Sequence, residues 1–580
     1  MRAPLLAAAT LMAALLPAAP AAAGDPIMRL SEVRSGMQCT GFSVIRGTTI
    51  SSFSVEVVDV VDSDPGTGTA MILVEVSGPA VDRTGVGPGF SGSPIYCNGR
   101  NIGAISQSIG DYGGKVVLAT PIESMLANPV DAPRARPRAA RAAAAPSPRA
   151  TAALRRIRRE GTRPLLAPLT ISGVHPALGR ALERAGRRIG RPVTAVPAGP
   201  LGSFPKQTLR PGSAVAASLS TGDVKVSGLG TVTYTDADRV WAFGHPFENA
   251  GARSLFLQDA YIFKVIYDPL APITGGSFKL GFPGHDLGTL TNDASSAIVG
   301  RVGALPKTTA VQAFARDADT GATRLVQSSV ADETDLDNPT GFTGLGAVAP
   351  LAVAQAAGTV MQSAPGRLTG RMCVTIRLRE RPRRPARFCN RYLSSAIFDP
   401  MAGALSNPIA FPAAFDVSDA VALIESYEGR TPHVASLRAR VDLQRGERLA
   451  FLRGVKAPRR VRGGQRVTLR VKLQRLRGGV FTTRYRVRIP RVKPGRRALR
   501  LSGFEESFGG DELLEILLGA EPEEEPDVGP ARLRDLLDEI EGLGRWDGVE
   551  LRIGGKRRHA FLDRDRVITG SARTTVRVVR

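Results

Sequence analysis

Aromatic residues make up only 5% of the 580-residue chain, with two tryptophans among them. Nucleic-acid bases would find few side chains to stack on, and no nucleic-acid-binding module is recognisable, so nucleic acid is not an expected partner. Cysteine is also scarce. The four present, Cys39, Cys97, Cys373 and Cys389, include no Cys-x-x-Cys spacing, which removes zinc ribbons and thioredoxin-type redox sites. No metal or cofactor is expected. Only five histidines occur, so any imidazole chemistry has five candidates. Internal repeats and coiled-coil heptads are absent. Past the N-terminus the one long apolar run is Leu345 to Met361, whose Ala and Gly content suits a buried helix better than a membrane span.

What is present points to an exported, multi-domain β protein. At roughly 100–200 residues per domain the length implies several domains. An apolar share of 43% excludes wholesale disorder. The 63 Gly and 42 Pro favour strands, turns and linkers over helical bundles. Lys and Arg total 77 against 53 Asp and Glu, a net charge of +24 that suits polyanionic surroundings. Residues 1–23 have the three parts of a secretory signal: Arg2, an apolar stretch from Leu5 to Leu16, and Ala21-Ala22-Ala23 as cleavage site. The mature protein is therefore expected to be secreted, periplasmic or held at the cell envelope, with no transmembrane span. Disulfides suit that setting. Of the three pairings open to four cysteines, Cys39–Cys97 with Cys373–Cys389 keeps each bridge inside one domain.

Composition divides the chain. Residues 27–126 are β-rich. The Phe53 to Val61 pattern predicts a strand with a bulge, and Asn98-Gly99 a hairpin turn. Residues 127–163 are an Ala/Pro/Arg-rich linker, with ten Arg between 131 and 163. Residues 164–433 form a second β-rich block, with the apolar strand Val240 to Phe243 and a short helix near Ser418 to Ser426. Residues 434–580 alternate with period two, as in a sandwich with one wet face. They are interrupted by an insertion, 505–550, in which Leu533, Leu536, Leu537 and Ile540 mark one helix face.

The most informative string is Gly87-Pro88-Gly89-Phe90-Ser91-Gly92-Ser93-Pro94. A serine between glycines on a strand–loop–strand turn can project its hydroxyl, with free backbone N–H groups facing a developing oxyanion. Gly89 leaves out a side chain where a substrate carbonyl would approach. A serine nucleophile needs a base. Among the histidines, His245 stands apart, because it follows an apolar strand that a sheet would hold rigid.

Two longer stretches carry a family resemblance. TGVGPGFSGSPIYCNGRNIGAISQ around Ser91 resembles the serine segment of the SpoIVB-type sporulation peptidases (serine peptidase family 55). GLGTVTYTDADRVWAFGHPF resembles their histidine segment, and FKLGFPGHDLGTLTNDASSAIVGRVG is similar to a further part of the same domain. The resemblance covers about 33–125 and 212–305. It implies a chymotrypsin-like double β-barrel with Ser91 as nucleophile, His245 as general base, and the Gly89 and Ser91 amides as oxyanion hole. The chain departs from the family in order, since its Ser segment precedes its His segment, so the barrels would be permuted. Phe90 stands where the family has Met. The family's acid, shortly before the serine, has no aligned Asp here. Glu75, Asp82, Asp259 and Asp293 remain candidate orienting acids, and no PDZ domain is identified.

The expected fold is thus mainly β: a permuted double barrel of residues 27–126 and 164–433 followed by a sandwich-like module, 434–580. The expected activity is that of an exported serine endopeptidase working through an acyl-enzyme on a peptide or protein substrate. The competing reading is a catalytically weak or inactive peptidase-like scaffold of the envelope, favoured by the missing acid. An anionic cell-envelope polymer is the second partner class the charge suggests.

Overall fold

The computed structural model describes residues 24–61, 70–109, 114–131, 162–164, 169–196, 203–267, 277–336, 343–361, 366–381, 383–394, 407–503, 530, 532–544, 549–560 and 565–579. The expected secretory signal and most of the expected linker lie outside them. The described chain is mainly β.

Six strands form the first barrel: β1 (Gln38–Arg46), β2 (Thr49–Val61), β3 (Met71–Ser77), β4 (Pro94–Cys97), β5 (Arg100–Ile109) and β6 (Val116–Pro121). Their pairing order is β4-β1-β2-β3-β6-β5, and β4 pairs β5 to close the ring. The expected irregularity in β2 is a register shift between Val57 and Asp59. The β4–β5 hairpin turns through Asn98 and Gly99, with φ of 51° and 74°. Both are positive, as a two-residue turn matched to strand twist requires. Inward Phe53, Val55, Val57, Ile72 and Val74 fill the barrel, and Cys39–Cys97 ties β1 to β4.

Six more strands form a second ring: β7 (Ala214–Ser218), β8 (Lys225–Asp236), β9 (Arg239–Ala242), β10 (Gly251–Tyr267), β11 (Ser277–Ala294) and β12 (Ala297–Val302). They pair in the order β7-β10-β11-β12-β9-β8, and β7 pairs β8 to complete the circuit. Counted from the first strand, both rings run first, second, third, sixth, fifth, fourth. Helix α1 (Pro176–Arg188) packs Leu178 and Leu182 into the core of the second.

The rings meet across small side chains. Val44 and Ile50 of the first touch Ala214, Ala216, Leu229, Ala260 and Ile262 of the second. A second patch joins Ala104 and Met125 to Trp241 and Val299. Between these apolar patches runs the polar seam that holds the candidate site.

A third sheet contains Ser220–Gly222, β13 (Thr308–Asp317), β14 (Thr323–Ala331), β15 (Leu368–Leu378), β16 (Ala386–Leu393) and β17 (Val434–Arg445). Strand β17 lies between β13, to which it is parallel, and β15. Residues 434–445, read from the sequence as the head of the C-terminal module, are therefore a central strand of this sheet. Cys373 and Cys389 face each other on β15 and β16 and form the second disulfide. Helices α2 (Gly344–Thr359) and α3 (Ala410–Glu425) cover the sheet. The apolar run at 345–361 is thus a buried helix, and no described helix is long and apolar enough to cross a membrane.

The C-terminal residues build two sheets around one core. In the first, β18 (Leu449–Lys456), β19 (Arg466–Arg475) and β20 (Val480–Arg488) are neighbours. In the second, β21 (Gly495–Ser502), β22 (Val549–Ile553) and β23 (Ser571–Val579) are. Helix α4 (Leu533–Gly542), inside the insertion, buries Leu536, Leu537 and Ile540 in the core of the third sheet, as its apolar face predicts.

Candidate active site

Ser91 lies in the connection from β3 to β4, and His245 in the connection from β9 to β10. In rings of one strand order these are equivalent places, each linking the third strand to the fourth.

The serine loop is built by its carbonyls. Phe90 N–H donates to Gly87 O and Ser93 N–H to Phe90 O, each at 2.9 Å, giving two successive tight turns. The second ring takes most of the rest. Lys279 N–H donates to Pro88 O (2.9 Å) and Thr231 N–H to Ser91 O (2.8 Å). Thr231 Oγ1 donates to Gly89 O (3.0 Å) and Thr233 Oγ1 to Gly92 O (2.8 Å). In a trans peptide the N–H points away from the preceding carbonyl. With Pro88 O and Phe90 O so engaged, the Gly89 and Ser91 amides are turned the other way, and among the described residues neither donates a hydrogen bond. Two buried, unspent donors on one turn are the elements of an oxyanion hole.

Glycine is required at two points. Gly92 has φ +89°, and a Cβ there would lie 1.9 Å from Thr231 O. Gly89 has φ +93°, and its Cβ would lie 2.8 Å from Lys279 Cβ. The space over Gly89 is thus occupied by Lys279, a stronger reason for glycine than clearance for a substrate.

The histidine loop meets the same seam. Thr231, which binds Ser91 O, also accepts from Phe243 N–H at 3.2 Å. Gly92 N–H donates to Ile105 O, and a Cβ on Gly244 would lie 3.3 Å from that oxygen, so the neighbours of Ser91 and His245 share one carbonyl. Phe243, buried, has φ +71°, a conformation that bulky residues rarely adopt and that tends to mark functional turns. Thr120 Oγ1 holds Gly244 O at 2.6 Å. His245 Nδ1 lies 2.6 Å from Pro246 O. A carbonyl only accepts, so Nδ1 carries a proton; in the neutral imidazole that leaves the lone pair on Nε2. That is the tautomer a general base needs.

Ser91 is 0% exposed and His245 2%. Among the described residues Ser91 Oγ has no hydrogen-bond partner, so it makes no hydrogen bond to His245.

The four candidate acids go to different places. Asp293 is buried and accepts from the amides of Phe247 (2.6 Å), Glu248 (2.7 Å) and Ala250 (3.3 Å), which fixes the chain after His245. Burial pushes its carboxyl up, against the pull of those amides and of Arg253. Asp259 binds His285, Nδ1 to Oδ2 at 3.0 Å, and so orients a different imidazole. Asp82 is exposed and pairs with Lys115 at 3.0 Å, which lowers its pKa. Glu75 is exposed on β3. Of the other histidines, His175 caps α1, accepting from Ala177 N–H at 3.2 Å. His433 sits between Glu380 (2.8 Å) and Asp335 (3.1 Å).

The residue that sequence reading missed is Lys279, on β11. It is buried, its Nζ 2.6 Å from Ser43 Oγ, 3.1 Å from Thr231 Oγ1 and 4.5 Å from the Phe90 ring centre. Ser43 Oγ in turn lies 2.8 Å from Ser93 Oγ. Among the described residues no carboxylate pairs with it, and burial lowers its pKa to about 7. The network ties both flanks of Ser91, through Gly89 O and Ser93, to one amine. In the structure Lys279 shares the buried face of β11 with Ser277 and Gly281, two residues whose small size gives no apolar signal in the sequence.

Comparison with family models, curated proteins and solved structures returns no match for the chain.

Proposed function

We propose that the protein is an exported serine endopeptidase, resembling the SpoIVB-type peptidases, on a permuted chymotrypsin-like pair of barrels, with a sandwich-like C-terminal module. One observation carries the reading: Ser91 and His245 occupy the same connection in two rings of identical strand order, and both connections converge on Thr231 and Ile105. The two disulfides agree with an oxidising, extracytoplasmic setting.

In this reading His245 Nε2 takes the Ser91 hydroxyl proton as Oγ attacks the scissile carbonyl. The oxyanion forms against the Gly89 and Ser91 amides. The proton then passes to the leaving amine, and water, activated by the same imidazole, releases the acyl group. Pro246 O fixes the tautomer but offers the imidazolium no full negative charge. In a serine protease triad, replacing the acid by its amide costs about 10⁴ in kcat, so slow, limited cleavage is expected. Both side chains are buried, so substrate entry requires the covering chain to move.

The test is labelling of the mature protein with a fluorophosphonate probe. Wild type should label and Ser91→Ala should not; equal labelling of both removes the proposal. A second reading, a non-catalytic scaffold on the same barrels, is favoured by the burial of Ser91 and its unmade bond to His245. It expects no labelling of either protein.

A further inference from the structure

Residues 448–504 contain nineteen Lys and Arg and no Asp or Glu. The sheet register sets many of these cations against one another. Across β19 and β20, Arg466 faces Arg488, Thr468 faces Arg486, Arg470 faces Arg484, and Lys472 faces Thr482. All eight side chains are exposed. Lys456 of β18 extends the Arg470 rung. The second sheet repeats the pattern, with Arg496 against Arg577 and Arg500 against Arg573.

Like charges directly opposed across a ladder work against the sheet. Some arginines elsewhere in the chain find carboxylate partners, as Arg445 does in Asp317 at 3.0 Å and Arg301 in Asp131 at 2.9 Å. Among the described residues none of the nineteen has a carboxylate partner. A groove of about 560 Å³ opens at the end of the ladder between Arg466, Arg486, Arg488 and Arg558, with Tyr485 in its lining.

We infer that the outer face of β19 and β20 is a binding site for a linear phosphate-bearing polymer without bases, of the polyol phosphodiester class. Same-face residues on a strand repeat about every 7 Å, comparable to the phosphate-to-phosphate reach of such a polymer. A chain laid along the strands therefore meets a cation at each of four successive rungs, and guanidinium groups bind phosphate oxygens with charge-assisted, often bidentate, bonds. The face does not suit nucleic acid. Tyr485 is turned inward, and the rings of Phe451 and Phe481 carry Arg453 and Arg475 at 5.1 and 4.5 Å. Nor does it suit a bilayer surface, since the residues between the arginines are Thr468 and Thr482 rather than apolar anchors. The site stands whether or not Ser91 is a nucleophile.

The test uses the full chain and fluorescent poly(glycerol phosphate), read by anisotropy at 0.15 M salt. Five substitutions, R466Q, R470Q, R484Q, R486Q and R488Q, are made together. A control carries R180Q, R187Q, R316Q, R324Q and R377Q, five exposed arginines on other elements. Wild type should bind. The five-site variant should bind at least tenfold more weakly, with a shallower dependence of log K on log salt and no fall in Tm. The control should stay within twofold of wild type. The inference is overturned by absence of wild-type binding, by equal binding of the five-site variant, or by an equal loss in the control, which would mean net charge alone. Tighter binding of oligo(dT) or of phosphatidylglycerol vesicles than of the polymer overturns it as well.

Discussion

Replacing Lys279 with Met should remove a specific pH dependence of stability. In the folded protein burial lowers this amine to about 7, whereas an unfolded lysine titrates at about 10.4. Between those values the unfolded chain binds a proton that the folded chain does not. Stability therefore rises with pH across the window, by about 1.4 kcal/mol per unit. The penalty is fully present below pH 7 and is gone above the unfolded value. From pH 7.5 to 9.5 the gain is about 2–3 kcal/mol, or about 5–10 °C in Tm for a cooperative unit of 150–250 residues. His433, raised by its bond to Glu380 and by Asp335, contributes with the opposite sign, its stabilisation fading as pH climbs. It is common to both proteins and cancels in the difference. The substitution should leave little unsatisfied, because Ser43 still meets Ser93 at 2.8 Å and Thr231 still donates to Gly89 O. The assay is scanning calorimetry of wild type and Lys279→Met at pH 7.5, 8.5 and 9.5. The wild-type Tm should gain on the variant's steadily with pH. Parallel curves would show that Lys279 stays charged when folded and that the reasoning is wrong.

Three further perturbations follow from the geometry. Gly92→Ala would force a Cβ to within 1.9 Å of Thr231 O at φ +89°. It should cost about 3 kcal/mol or more, measured by denaturant unfolding; a cost below about 1 kcal/mol would mean the loop yields readily. Asp293→Ala strips three amides of their acceptor beside buried Arg253. About 3 kcal/mol of destabilisation is expected, together with slower fluorophosphonate labelling as the chain after His245 loosens. Unchanged labelling would separate Asp293 from His245. Removing Cys39–Cys97, whose partners are 58 positions apart in sequence, should cost about 4 kcal/mol. Removing Cys373–Cys389, whose partners are 16 positions apart, should cost about 3 kcal/mol. Double Cys→Ala variants compared by chemical denaturation check the order.

Local features were legible because they depend on neighbours in sequence. The β2 bulge, the Asn98-Gly99 turn and the apolar face of α4 each sit where the residue pattern places them. So does the buried helix at 344–359. Partner choice was not legible. The alternation in Val434–Arg445 is the same for a strand that opens a new module and for one clamped between β13 and β15. Ring closure by β7 and β8 depends on residues whose sequence says nothing of each other. At the site, Ser91 and His245 stood out by motif, but the destinations of the carboxylates did not. Asp259 looks as suited to His245 as to His285 until β10 and β11 are paired. Lys279 was hidden because lysine on a strand is ordinarily a solvated residue, and its companions on the buried face, Ser277 and Gly281, carry no apolar pattern.

The central claim, that His245 activates Ser91 across the seam between two barrels, is tested most directly by the site and rate of phosphorylation with diisopropyl fluorophosphate. Intact mass and peptide mapping should find one adduct, on Ser91, forming at least 10³-fold more slowly in His245→Ala. An adduct on another serine, or equal rates in the two proteins, would contradict the account.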